Sequence, residues 1–98
     1  MNYHLLLRPE AESDITYTYL WYEEQKPGLG AAFLRSVEAC FKSVRRYPLA
    51  HACVHKQIRR AFLPRFPYGA FYLVQHRTVV VLACFHFHRD PSILRRRI

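Results

Sequence analysis

The spacing of hydrophobic residues along this chain changes period once, near its middle, and the change divides it into a helical and a β-rich half. A short apolar run in "YHLLLRPEA" reads as a strand and stops at Pro9. Proline suits the first turn of a helix, and Glu10, Glu12 and Asp14 suit the positive end of a helix dipole, so a helix is expected to begin there. Ala11, Ile15, Tyr19 and Tyr22 then recur at helical spacing, and Tyr17, Leu20 and Trp21 widen the stripe into an aromatic band that reads as core. "KPGLG", Lys26 to Gly30, breaks the pattern as a tight connection. Phe33, Val37, Cys40, Phe41 and Val44 mark the buried face of a second helix, with Arg45 and Arg46 in its last turn. "RYPLA" ends it, because the residue before a proline is pushed out of helical geometry. Two such helices with so short a link form an antiparallel hairpin.

From Val54 onward the period falls to two. "IRRAFLPRF", Ile58 to Phe66, is strand-like, and Pro64 argues for an edge position or a bulge near its end. "GAFYLVQ" is a clearer strand, "HRT" a hairpin turn, and "VVVLACFHFH" the strongest strand of all. The outline is β-α-α-β-β-β: an α+β arrangement with a helical hairpin packed on one face of a small, mainly antiparallel sheet. Strict alternation in the last strand puts Val79, Val81, Ala83, Phe85 and Phe87 under the helices. Val80, Leu82, Cys84, His86 and His88 then fall on a second face that no further layer of sequence covers. An apolar face bordered by cations is a candidate partner site.

Half of the 98 residues are hydrophobic, enough for one folded domain over residues 1–98, with a basic tail at 92–98. No apolar run is long enough to cross a bilayer and the opening residues do not resemble a cleavable leader, so a cytoplasmic protein is expected. Cys40, Cys53 and Cys84 are odd in number and widely spaced, which predicts reduced thiols packed in apolar surroundings. Charge is distributed unevenly. The first 38 residues carry three basic and six acidic side chains, a net of −3, and the remaining 60 carry twelve basic and one acidic, a net of +11. Such a field either attracts a polyanion (nucleic acid, an acidic protein segment, an anionic membrane) or is simply a solvated surface.

The chemistry-bearing stretch is "FHFHRDP", Phe85 to Pro91. His86 and His88 at i and i+2 share one side of a strand, but neither Cys84, His76 nor Asp90 completes a recognised zinc spacing. His86 is open to three readings: an acid or base, one wall of a binding surface, or a structural strand residue. Arg59, Arg60 and Arg65 are either edge-strand charges or contacts to phosphate or an acidic partner. Asp90 is expected to accept backbone N–H bonds in a turn or to pair with an arginine. Arg95, Arg96 and Arg97 are either a disordered tail or an arm that touches a target.

The stretches "LRPEAESDI", "YLWYEEQKPGLGAAFLRSVEACFKSVRRYP", "RRAFLPRFPYGAFYLV" and "VVVLACFHFHRDP", with the closing arginines, resemble the ParE/RelE superfamily of toxins from type II toxin–antitoxin pairs. The resemblance is nearer to the ParE branch. It implies a protein neutralised in a hetero-oligomer by a cognate antitoxin that wraps a mobile segment around it, with no cofactor and no membrane. For the ParE branch it implies inhibition of DNA gyrase by binding; for the RelE branch, cleavage of mRNA at the ribosome. Arg59, Arg60, Arg65, Tyr68, Leu82, His86, His88, Arg89, Arg95, Arg96 and Arg97 would form the target- or antitoxin-binding face, and in a ribonuclease His86, Arg65 and His88 would be the catalytic set. Gly69 stands where the RelE-like enzymes keep a cationic strand arginine, a departure that weakens the ribonuclease reading. A general basic nucleic-acid-binding module is the remaining alternative.

Overall fold

In the computed structural model, which describes residues 2–97, Pro9 opens the first helix at its first turn. Met1 and Ile98, the two ends of the expected domain, lie outside the described residues. Strand β1 (His4–Leu7) leads into α1 (Pro9–Gln25) and α2 (Leu29–Arg46), and a 3-10 turn (Pro48–Ala50) precedes β2 (Cys53–His55) and β3 (Ile58–Phe62). β4 (Tyr68–Gln75) and β5 (Thr78–His86) follow, and a second 3-10 turn (Pro91–Ile93) runs into a short helix, α3 (Leu94–Arg97). The five strands form one sheet in the order β1-β5-β4-β3-β2, with β1 parallel to β5 and every other pair antiparallel. This is the expected α+β arrangement. It adds the short β2, which takes the sheet edge beside β3, so β3 is an inner strand and Pro64 falls beyond its end.

Both long helices pack on one face of the sheet. Ala11 and Ile15 of α1 and Phe33, Val37, Cys40 and Val44 of α2 meet Ala61, Ala70, Tyr72, Val79, Val81 and Cys84. Thr18, rather than an aromatic residue, completes the buried stripe of α1. Tyr17, Leu20 and Trp21 are 73%, 54% and 47% exposed, because they lie on the flank of α1 turned away from α2 and the sheet. The aromatic band therefore belongs to the surface. Cys40 and Cys84 are buried as expected, whereas Cys53 is exposed on the edge strand.

The faces of β5 differ from strict alternation. Phe71 pairs with Ala83 but Tyr72 pairs with Val81, which leaves Leu82 as an extra residue in the ladder. Such a bulge reverses the parity of everything after it. Val79, Val81 and Cys84 face the helices, while Val80, Leu82, Ala83 and Phe85 face the other side with Ile58 and Phe71. That second face is not left open. Leu94 of α3 is fully buried on it, with Ile93 beside it, so the tail provides the cover that strict reading of the chain did not find.

The helix hairpin depends on a close approach at Gly30. Glu23 of α1 accepts the N–H groups of Gly28 (3.0 Å) and Gly30 (2.9 Å), supplying the carboxylate that the first turn of α2 lacks. A Cβ at residue 30 would stand 2.8 Å from both the Tyr19 carbonyl oxygen and Glu23 Oε1. Gly30→Ala is therefore expected to lose about 1–2 kcal/mol in urea unfolding despite the better helix propensity of alanine. Unchanged or raised stability would show that the helices part at no cost.

Candidate functional site

β1 accompanies β5 only as far as the pair Leu7 and Val81, after which Arg8 N–H donates to Val81 O and the chain turns into α1. Beyond Val81 the edge of β5 needs other partners, and two side chains supply them. Asp14 accepts the N–H of Cys84 at 3.0 Å, and Arg97 Nη1 donates to the carbonyl of Leu82 at 3.2 Å. The same two side chains pair with each other, Nη1 to Oδ2 at 2.5 Å and Nη2 to Oδ1 at 3.2 Å. With side-chain exposures of 13% and 15%, Asp14 and Arg97 form an inward ion pair rather than a surface one. Arg97 thus belongs to the fold. Asp14 had a legible signal, since it lies three residues after Ala11 and four before Thr18, on the inward stripe.

Beside this pair a cleft of ≈ 390 Å³ opens between α1 and the end of β5, lined by Ser13, Asp14, Tyr17, Thr18, Tyr68, Cys84, Phe85, His86 and Arg89. His86 pairs with Tyr68 across β4 and β5, and its ring meets the Tyr68 ring edge-on at 5.5 Å. The strand ends at His86, and the chain turns so that His88 N–H donates to His86 Nδ1 at 3.1 Å with the two imidazoles stacked at 5.3 Å. With Nδ1 accepting, neutral His86 carries its proton on Nε2. Burial pushes the Cys84 thiol well above its ordinary range, the neighbouring Cys40 and Asp14 adding to the effect, so it lines the cleft as a neutral thiol.

The second face presents a different surface at the same end of the sheet. Arg60, Phe62, Phe87 and His88 line a groove of ≈ 310 Å³. The Phe62 and Phe87 rings meet edge-to-face at 5.7 Å, and the Arg60 guanidinium lies 4.5 Å from the Phe62 ring centre. Gly69 allows this. A Cβ there would stand 3.0 Å from Arg60 Cγ and 3.2 Å from Arg60 Cδ, so the stem of Arg60 passes over the glycine. Strict alternation sent Phe87 under the helices, whereas past the bulge it falls on this face beside Phe62.

The remaining candidates scatter. Arg59 Nη1 donates to the carbonyls of Leu49 (3.3 Å) and His51 (2.6 Å) and so fastens the loop before β2 to β3. Leu82 is 1% exposed beneath the C-terminal segment, which removes it from the expected binding face. Arg65 is exposed in the loop between β3 and β4, away from the His86 cleft lining. Arg89 lines that cleft with its guanidinium 5.2 Å from the Phe85 ring centre. Asp90 accepts Ser92 N–H at 2.9 Å, as a turn aspartate does, and that bond holds its carboxyl below the usual range. Arg95 and Arg96 are exposed. His86, Arg89 and Tyr68 therefore come together, His88 stacks on His86 and shares the groove of Arg60 on the other side of the sheet end, and Arg59, Leu82 and Arg97 hold the structure.

No protein-family model and no curated protein matches the sequence. Among solved structures, a chain of the chromosomal ParDE toxin–antitoxin system from P. aeruginosa matches with a TM-score of 0.76 at 17% identity, over 86% of this chain and 95% of that one. A chain of the toxin–antitoxin complex RelBE2 from Mycobacterium tuberculosis matches with a TM-score of 0.60 at 24% identity, over 88% of this chain and 99% of that one. The fold is thus of the ParE/RelE type. Among the described residues no helix is long and apolar enough to cross a membrane.

The Arg59 anchor has a pH signature. Partial burial and, secondarily, the Arg59 charge lower the pKa of His51, whose Nε2 is buried without a partner. Folded His51 is therefore neutral where the unfolded chain, near 6.5, begins to take up a proton. The folded state binds fewer protons in that window, so stability is full above pH ~6.5 and declines as pH falls through the lowered folded value. His51→Gln should shrink the drop in melting temperature between about pH 7.5 and 5.5, whereas an unchanged drop would assign the pH dependence to other groups.

Proposed function

We propose that this chain is the toxin of a type II toxin–antitoxin pair and that it acts by binding its target, DNA gyrase, without catalysis of its own. The observation that carries the binding reading is at Gly69. A ribonuclease of this fold needs a proton acceptor for the 2′-hydroxyl, a donor for the leaving oxygen and fixed cations around the charged phosphorane. At the Gly69 position there is no cation, and the space above it is taken by the aliphatic stem of Arg60, whose guanidinium lies over Phe62 instead. Arg65, the other cation that cleavage would call on, lies outside the His86 cleft. What the sheet end offers is an exposed Phe62 packed on a half-buried Phe87 with an arginine on it, the composition of a protein-binding surface. The fold matches to chains of the ParDE and RelBE2 complexes support the toxin reading that both targets share.

The cognate antitoxin is the second partner in this reading. Tyr17, Leu20 and Trp21 form an apolar strip on α1 beside the cleft with Arg89 and His86, a surface suited to a segment that carries apolar and acidic residues. One observation favours the alternative of a ribosome-dependent ribonuclease. His86, Tyr68 and Arg89 converge on a single cleft, and together they hold a proton carrier, a hydroxyl and a cation.

Purified chain should inhibit supercoiling of relaxed plasmid by gyrase in a dose-dependent way, and Phe62→Ala or Arg60→Gln should weaken that inhibition by about tenfold or more, the loss of an interface anchor. Full supercoiling at saturating protein contradicts the gyrase reading. Primer extension on translated mRNA separates the alternative: discrete cuts that vanish in His86→Ala would establish the ribonuclease.

A further inference from the structure

The outer side of α2 carries a feature that neither the cleft at the end of β5 nor the Arg60 groove uses. Arg35, Lys42 and Arg46 wall a trough of ≈ 570 Å³ floored by Ala39 and Ser43, with Glu38 and Tyr47 completing its lining. A second groove of ≈ 190 Å³ shares Arg35 and Ala39 with it and is closed by Pro64 and Arg65. The two are continuous. In the smaller groove Arg35 and Arg65 are neighbours with no carboxylate in the lining, and among the described residues neither belongs to an ion pair.

Arg65 is placed there by construction. Ser36, 6% exposed, donates its hydroxyl to the carbonyl of Pro64 and so pins the β3–β4 loop to α2. Arg65 follows with φ of 71°, a conformation that glycine would adopt without strain. That backbone state is strained for a residue with a side chain, and here it is adopted by an arginine that lines the smaller groove together with Arg35. Two like charges lining one groove that holds no carboxylate are the arrangement of an anion site.

The geometry points to duplex DNA as the occupant, held by its phosphate backbone along this trough. Arg35, Lys42 and Arg46 spread over about 16 Å of helix, at ~1.5 Å per residue, against a strand that carries a phosphate about every 3.4 Å. Small side chains on the floor let a backbone ridge approach the helix. Single strands are bound by stacking their bases on aromatic rings, and the only ring that the described residues bring to the trough, Tyr47, lies against the Arg46 guanidinium at 5.4 Å. Duplex RNA is read in part through its row of 2′-hydroxyls, against which the trough lining sets only the hydroxyls of Ser43 and Tyr47, while Ser36 of the adjoining groove is engaged by Pro64. Glu38, the single acid of the lining, opposes the ligand and sets the affinity below what the cations alone would reach.

The test is fluorescence anisotropy with a labelled 30-base-pair DNA duplex across a salt series, using the full chain and variants checked for native circular dichroism. The triple variant Arg35→Gln, Lys42→Gln, Arg46→Gln should lose at least about tenfold in affinity, and its salt slope should flatten by about three, one for each cation removed. Glu38→Gln should bind more tightly. Arg95→Gln, Arg96→Gln, which removes exposed charge elsewhere, should leave the slope unchanged to within about 0.5 and bind far better than the triple variant. Equal losses in the triple and tail variants would mean that only the overall charge attracts DNA and would overturn the assignment. Tighter binding of duplex RNA or single-stranded DNA would overturn it as well. None of these outcomes depends on gyrase inhibition, because the trough shares no lining residue with the surfaces invoked for that activity.

Discussion

Past Val81, strand β5 has no neighbour on the side where β1 departs, and its Cys84 N–H and Leu82 C=O would face a half-buried edge unsatisfied. Each such group left without a partner costs about 1–3 kcal/mol. Asp14 and Arg97 satisfy both, and in doing so join helix α1 to the last turn of the chain. The pair is oriented by four contacts at once, with the acid taking an N–H and the base giving to a C=O. Its effect reaches the second face of the sheet, because Arg97 holds α3 in place and Leu94 of that turn is buried against Leu82 and Phe85. Full burial of one leucine contributes about 1.5–3 kcal/mol, and here that burial depends on an ion pair on the other side of the strand.

The bulge at Leu82 and the ion pair act on the same few residues and together decide what the end of the sheet presents. Because the parity of β5 reverses, Phe85 goes to the face that α3 covers and His86 goes to the helix side, into the cleft with Tyr68 and Arg89. Phe87, just past the strand, then meets Phe62 on the opposite face. One end of β5 thereby serves two surfaces, a cleft rich in hydrogen-bonding groups beside α1 and an aromatic–arginine groove on the far side. On the function proposed above, one of these surfaces is available to a target and the other to a neutralising partner.

Much of the fold was legible in the chain, for physical reasons. The stripe of Phe33, Val37, Cys40 and Val44 is long and uninterrupted, and Pro9 and the Lys26–Gly30 break mark the helix ends without competition. The strands Tyr68–Gln75 and Thr78–His86 followed from their β-branched and aromatic content, although the second was expected to run on to His88. The site was harder to read. A single extra residue in a strand leaves no mark in composition, so strict alternation placed Ala83, Cys84, Phe85 and His86 on the wrong sides. Tyr17, Leu20 and Trp21 looked like core because a helical stripe does not say how wide the covering layer is. Arg59 and Arg97 looked like free charge, since their partners are backbone carbonyls and one aspartate 83 residues away, which spacing alone does not reveal. Asp14 was the clue available, an acid on an inward helix stripe.

The account stands on the claim that Asp14 and Arg97 form a coupled, fold-organising pair rather than two independent surface charges. A double-mutant cycle with Asp14→Ala, Arg97→Ala and the double variant, read by equilibrium urea unfolding, measures that directly. Each single change is expected to cost about 3 kcal/mol, since it strands the partner near a half-buried edge, and the double variant should cost little more than one of them, a coupling of about 2–3 kcal/mol. Losses that simply add, with a coupling near zero, would mean that the edge of β5 and the cover over the second face are held by something else.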